Sequence, residues 1–313
     1  MKRKKNIKKW LIFFFFILLI FYSKNKEIKI KNKFTKQINN IKVCICTLGK
    51  NENRYIREFI EYYENYDIDQ IFLYDNNDEN GEKFEEIIKD YIDNGFVKIL
   101  NFRGKKREQL NIINHCYLNN YKKYDWLIFY DIDEYINLKN YTNIKDFLNE
   151  KKFENCQAIY LNWVIHTDNN LIHYKNKTLH ERFPILEPNA RNNNKNKYIP
   201  VKSILKGHIP NITVNCLHKL NHRLKGCNGF GVKPKLLLYS MEPDFTYYFI
   251  DHFYFKSLEE FTEKLNRGSA RTYNDTKMKL VKIKRYFTMN EIIDWSIRNR
   301  RFILKIFINN NYK

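Results

Sequence analysis

Between residues 41 and 135, short apolar β-rich runs alternate with stretches whose apolar residues recur at helical spacing. That alternation constrains the fold more than any other feature of the chain. Residues 41–47, 70–74, 97–101 and 126–130 read as strands, with helices at 55–66, 84–91 and 108–119 between them. On the first helix Ile56, Phe59, Ile60 and Tyr63 share one face. Strands joined by helices cross over right-handedly and run mainly parallel, so the expected fold is α/β, a mainly parallel Rossmann-like sheet flanked by helices. Ligands then sit beyond the carboxyl ends of the strands. Those ends are 47–53, 75–80, 101–106 and 131–135. The run WLIFY at 126–130 is apolar throughout, as a strand covered on both faces must be. Further on, 158–164 reads as a strand, 174–182 and 201–205 as additions to the sheet, 191–197 as an Asn/Lys-rich surface loop, and 258–265 and 290–307 as helices.

Three carboxylates follow WLIFY: Asp131, Asp133 and Glu134. Where a strand leaves a sheet such groups repel one another, and a hard cation among them relieves that. Mn²⁺ or Mg²⁺ takes oxygen ligands from Asp and from a diphosphate. The other reading is a solvated acidic turn. Asp75 closes the second strand, where a carboxylate can accept from ribose hydroxyls or a base N–H; Asn and Asp also favour such turns for local reasons. Thr47, Asn51 and Glu52 stand at the same end of the first strand, without a phosphate-loop glycine pattern. His252 could ligate a metal or be a structural histidine, and Lys256, Lys264 and Arg267 are basic donors suited to a diphosphate.

The net charge of +21 first suggests an anionic partner. Lys50, Lys83, Lys98, Lys145 and Lys202 are nevertheless spread along the chain, and Lys, Asn, Ile, Phe and Tyr crowd it as AT-rich coding does. A nucleic-acid binder would concentrate its cations, so nucleic acid is not the expected partner. The six cysteines make no metal framework. Cys44 and Cys46 point to one face of their strand and are expected to pack; Cys116 and Cys156 read as isolated core positions; Cys216 and Cys227 could pair or stay reduced.

The first nine residues form a basic tail. The unbroken apolar run from Trp10 to Tyr22 is 13 residues long, short for a bilayer span, with no small-residue cleavage site after it. Flanking lysines can snorkel, so 10–22 is read as an uncleaved single-pass anchor and 23–38 as a stem, with 39–275 catalytic and 276–313 a helical extension. A eukaryotic chain so anchored would face the Golgi or ER lumen. Glycosylation triplets begin at Asn140, Asn176, Asn211 and Asn274, as chance allows in so Asn-rich a chain.

Taken in order, these pieces resemble glycosyltransferase family 92 and its glycosyltransferase-2-like relatives, from about residue 43 to 268. The resemblance rests on Asn51 and Glu52; Tyr74, Asp75 and Asn76; Gln109 with Asn114 and His115; then Asp131, Ile132, Asp133, Glu134 and Tyr135. Glu181, Arg182 and Phe183 follow, then Lys202, Ser203 and Ile204, then Leu217 and His218, and finally the block H-x-x-x-K-S-x-E-E-F-x-x-K-x-x-R-G from His252 to Gly268. The resemblance implies a GT-A fold, a UDP- or GDP-sugar donor, a glycan acceptor and a metal, with galactose transferred by some members. On that expectation Asp131, Asp133 and His252 hold the metal, and Thr47, Glu52, Asp75, Gln109, Asp131, Lys256 and Arg267 hold the nucleotide-sugar. An inverting reaction needs a general base, for which Glu181 and Asp168 are the candidates. Two rivals are a nucleotidyltransferase and a membrane-tethered, non-catalytic glycan- or nucleic-acid-binding protein.

Overall fold

Residues 41–135 do fold as strand and helix in turn, in a computed structural model that describes 41–267 except 107, 188–198, 217, 219–222, 238 and 239. The elements are β1 (Val43–Gly49), α1 (Asn53–Asn65), β2 (Gln70–Asp75), α2 (Glu85–Asp93), β3 (Val97–Asn101), α3 (Gln109–Asn120) and β4 (Trp126–Ile128). Then come β5 (Glu134–Leu138), α4 (Ile144–Leu148), β6 (Ala158–Ile165), α5 (Leu179–Arg182), β7 (Ile199–Lys206), β8 (Gly226–Asn228), β9 (Leu236–Leu237), β10 (Ser240–Met241), β11 (Tyr248–His252) and α6 (Leu258–Arg267). The anchor and stem expected at 10–38, the loop at 191–197 and the helix at 290–307 lie outside the described residues. Among the described residues no helix is long and apolar enough to cross a membrane.

The strand order is β3-β2-β1-β4-β7-β6-β11-β5. β1 lies parallel to β2 and β4, and β2 parallel to β3. Beyond β4 the expectation of a mainly parallel sheet fails. β7 inserts antiparallel between β4 and β6, and β5 pairs antiparallel with β11. The fold is therefore mixed α/β. Because β11 runs parallel to β6, the carboxyl ends of β1, β4, β6 and β11 share one edge of the sheet. The amino ends of β5 and β7 return to that edge.

Packing follows the pattern of apolar residues. α1 buries Tyr55, Ile56, Phe59, Ile60 and Tyr63, and every residue from Trp126 to Tyr130 is buried. At about 1.5–3 kcal/mol for each fully buried large side chain, these faces fix the helix on the sheet. Gly49 ends β1 where a Cβ would stand 2.5 Å from Phe84 and 2.7 Å from Ile132. Its missing side chain lets Ile132, and with it the acidic turn, settle against β1.

Three local expectations are corrected. Segment 174–182 adds no strand but ends in α5, because Thr178 and Glu181 form a reciprocal capping box. Cys227 pairs with Cys156 rather than Cys216, since β8 lies parallel to β6 just beyond Cys156. Cys46 and Cys116 form a second disulfide where α3 packs over β1, so neither is a bare packing residue. Cys44 and Cys216 are free.

Candidate functional site

The shared sheet edge brings together three acidic and basic stretches. After β4, Phe129 and Tyr130 stay buried and the chain turns through 131–133, held by Glu134 N–H donating to the Asp131 carbonyl at 3.0 Å. Asp131 N–H donates in return to Glu134 Oε2 at 3.0 Å. The backbone of Phe253 donates to the Asp133 carbonyl at 3.0 Å, which sets the end of β11 beside this turn. There Asp133, buried, accepts from Lys264 Nζ at 2.6 Å and lies 3.9 Å from Lys256 Nζ. Its other oxygen is 3.6 Å from His252 Nε2.

Glu52, just ahead of α1, lies 2.6 Å from Arg267 and 3.6 Å from Lys256. Arg267 also binds the carbonyls of Lys50 and Asn51. Lys256 takes a left-handed φ of 57° and places its ammonium 3.9 Å from the centre of the Tyr55 ring. A lysine held in that backbone region is strained, and such residues cluster at functional sites. Two carboxylates, Glu52 and Asp133, thus face three cations, Lys256, Lys264 and Arg267. The surplus positive charge suits a diphosphate.

Burial opposes ionisation of Asp133, but Lys264 and His252 outweigh it and hold the carboxyl well below the usual range. Burial pushes the His252 imidazole down, against the pull of Asp133, and so favours its neutral, ligating form. Burial likewise pushes the Lys256 ammonium down, opposed by Glu52 and Asp133. Glu134 is pushed up to about 8, by burial first, against the attraction of Lys202.

Asp133 Oδ1 and His252 Nε2 stand 3.6 Å apart. Two donors each about 2.1 Å from one ion lie about 3.0 to 3.6 Å apart, which matches Asp133 and His252. His252 Nδ1, the ring nitrogen that does not face Asp133, is buried without a hydrogen-bond partner among the described residues. Asp131 does not join them. Its Oδ2 accepts from Lys202 Nζ at 2.8 Å, and no group of three His, Cys, Asp or Glu poised for a metal occurs among the described residues.

The other expected residues scatter. Thr47 is buried at the end of β1 with Oγ1 unpartnered among the described residues. Asp75 is bound by Arg103 at 2.6 Å and by Asn77 N–H at 2.9 Å, which stiffens the turn after β2. Gln109 opens α3, half-buried. Glu181 is exposed, with its carboxylate on Thr178. Asp168 is buried and accepts from Asn170 N–H at 2.9 Å.

A sequence model of glycosyltransferase family 92 matches residues 39–299. The chain belongs to glycosyltransferase family 92. A family 92 protein of Ricinus communis is 29% identical over 96 residues, which are 31% of this chain and 17% of that protein. One of Oryza sativa subsp. japonica is 29% identical over 96 residues, 30% of this chain and 16% of its own length. This family 92 chain therefore aligns with less than a fifth of either relative. Among solved structures, Staphylococcus aureus TarS residues 1–349 with UDP-GlcNAc covers 86% of this chain and 79% of its own, at 13% identity and TM-score 0.37. The Pyrobaculum calidifontis mannosyltransferase PcManGT with GDP-Man and Mn²⁺ covers 39% of this chain and 35% of its own, at 9% identity and TM-score 0.31. At those scores the likeness decides nothing about this chain.

Two partners of the expected residues had no role assigned from the sequence of the family 92 chain: Lys202, which entered only as part of the run Lys202, Ser203 and Ile204, and Arg103. Lys202 had a visible signal, a lysine inside the apolar strand run 199–206, since a fully buried lysine is rare unless paired. Arg103, in the turn after β3, had none, because its partner Asp75 is 28 residues away at the end of β2.

Proposed function

We propose that this chain transfers a hexose from a UDP- or GDP-sugar to a hydroxyl of a glycan. The observation that carries the reading is the cluster at the carboxyl edge of the sheet, where Glu52 and Asp133 meet Lys256, Lys264 and Arg267. Family membership supports it. Lys256, Lys264 and Arg267 bind and orient the diphosphate, and Thr47 contributes its buried hydroxyl to the nucleoside. Asp133 and His252 would hold a Mn²⁺ or Mg²⁺ ion, which when bound neutralises charge on the leaving diphosphate. An inverting transfer places a carboxylate at the acceptor hydroxyl. Asp168 is the candidate, since its loop lies against α6 through Leu258 N–H on the Leu171 carbonyl, whereas Glu181 caps α5. Galactose is the first sugar to try, on the resemblance alone.

The place of action is proposed to be an oxidising compartment, reached through the basic and apolar segment at 1–22. Two disulfides closing loops of about 70 residues support that, because cytosolic reductants keep such thiols reduced.

The test is a panel of nucleotide-sugars with the full chain and Mn²⁺, reading the nucleotide released. UDP or GDP released from one donor, and lost with a chelator, supports the proposal. Pyrophosphate released from a nucleoside triphosphate and a sugar phosphate would favour a nucleotidyltransferase. Binding of glycan without any release would leave a binding protein.

A further inference from the structure

Lys202 reaches the edge of the site from β7, opposite the strand that delivers the acidic turn. Its side chain is 5% exposed, and its ammonium lies 2.8 Å from Asp131 Oδ2 and 3.1 Å from Glu134 Oε2. Glu134 is fully buried and Asp131 is 38% exposed at the side chain. The same Glu134 oxygen accepts from Asp131 N–H, so backbone and side chain of Asp131 are both tied to one buried pair. Among the described residues no hydrogen bond falls on Asp131 Oδ1. One Asp131 oxygen is therefore fixed inward and the other left open.

The geometry points to Lys202 as a positioning residue for the proposed transfer, holding the Asp131 carboxylate so that its open oxygen is presented to the ribose hydroxyls or phosphate of the bound nucleotide-sugar. Lys202 has a second link to the site. Its ammonium lies 6.0 Å from the centre of the Trp163 ring, and that ring leans on His252 at 4.4 Å between centroids. One lysine thus bears on both Asp131 and the imidazole beside Asp133. A buried lysine on a flexible stem would not keep a single position unless both carboxylates held it. Bidentate capture by Glu134 and Asp131 removes that freedom. Misplacing a binding group by about 1 Å costs on the order of 100-fold in rate.

A merely structural lysine would neutralise Glu134 and nothing more. The two roles separate in a double variant, on the premise that the proposed nucleotide-sugar chemistry is correct. Lys202→Met alone leaves Glu134 buried beside an unpaired Asp131, and instability would obscure the result. Lys202→Met combined with Glu134→Gln removes that burden and keeps the shape. Expected of the double variant is a folded protein, by thermal melting, whose kcat/KM for the nucleotide-sugar falls on the order of 100-fold, with Lys202→Arg recovering most of the loss. UDP affinity by calorimetry should fall in the double variant and recover in Lys202→Arg. A folded double variant with wild-type kcat/KM and UDP affinity overturns the role of Lys202. Wild-type protein that neither binds UDP or GDP nor turns over any donor removes the underlying reading as well, and so tells the two failures apart.

Discussion

Arg182 Nη1 donates to Glu260 Oε2 at 2.7 Å, with both side chains about 1% exposed, across 78 residues of sequence. The same Glu260 oxygen takes the Ser257 backbone N–H at 3.1 Å, and Glu260 Oε1 accepts from the Tyr55 hydroxyl at 2.6 Å. Glu260 thereby ties α5, α1 and the start of α6 together directly behind Lys256. Arg182 and Glu260 are each buried charges, and each is the other's ion-pair partner.

Removing one partner should therefore be costly. Glu260→Gln or Arg182→Met is expected to lower stability by about 3–5 kcal/mol, the range for breaking a buried pair. Burial pushes the Glu260 carboxyl up, but hydrogen bonds from Arg182, Ser257 and Tyr55 hold it below the ordinary glutamate range. Its folded pKa is thus depressed. The stability it contributes is present above the unfolded value of about 4.3 and is lost as pH falls through the folded one. Urea unfolding at pH 7 should separate wild type from Glu260→Gln clearly, and the gap should narrow in more acid solution. An equal gap at both pH values would deny Glu260 this role.

The disulfides make a prediction about thiols. Cys46–Cys116 and Cys156–Cys227 span 70 and 71 residues, and a closed loop of that size is worth about 4 kcal/mol in the chain-entropy picture. Alkylation of the unfolded, non-reduced protein is expected to label two cysteines, Cys44 and Cys216. Cys156→Ser with Cys227→Ser should lower the melting temperature in oxidising buffer and leave it unchanged relative to wild type under reductant. Labelling of six cysteines in protein from an oxidising host would contradict the pairing.

Lys256 offers a separation of strain from function. Lys256→Ala and Lys256→Gly both remove the ammonium near Glu52 and Asp133, so both are expected to weaken nucleotide binding alike, by about tenfold or more. Only glycine accepts the φ of 57° without a Cβ clash. Lys256→Gly should then be more stable than Lys256→Ala by about 1 kcal/mol. Equal stability of the two would mean that the left-handed backbone is not strained.

The first half of the fold was legible because its signals are local. The apolar spacing of α1 and the unbroken WLIFY run place α1 and β4 within a residue or two. The second half was not, because it is set by pairings between distant segments. Nothing near residue 202 shows that β7 will slip between β4 and β6, and the T-x-x-E capping box at Thr178 was overlooked beneath a β-like run. The site divides in the same way. Glu52, Asp133, His252, Lys256 and Arg267 were found by motif and do converge. The partners that decide what those groups can do come from distant segments: Lys202 on β7 for Asp131, and Arg103 in the turn after β3 for Asp75.

The measurement that bears most directly on the nucleotide-sugar cluster is calorimetric titration of the full chain with UDP and with GDP, with and without Mn²⁺, beside Asp133→Asn. Expected is binding of one nucleotide that strengthens with Mn²⁺, and loss of the Mn²⁺-dependent part, about tenfold or more, in a folded Asp133→Asn protein. Binding of neither nucleotide by folded wild-type protein, in either condition, would contradict a donor site at Glu52, Asp133 and the three cations.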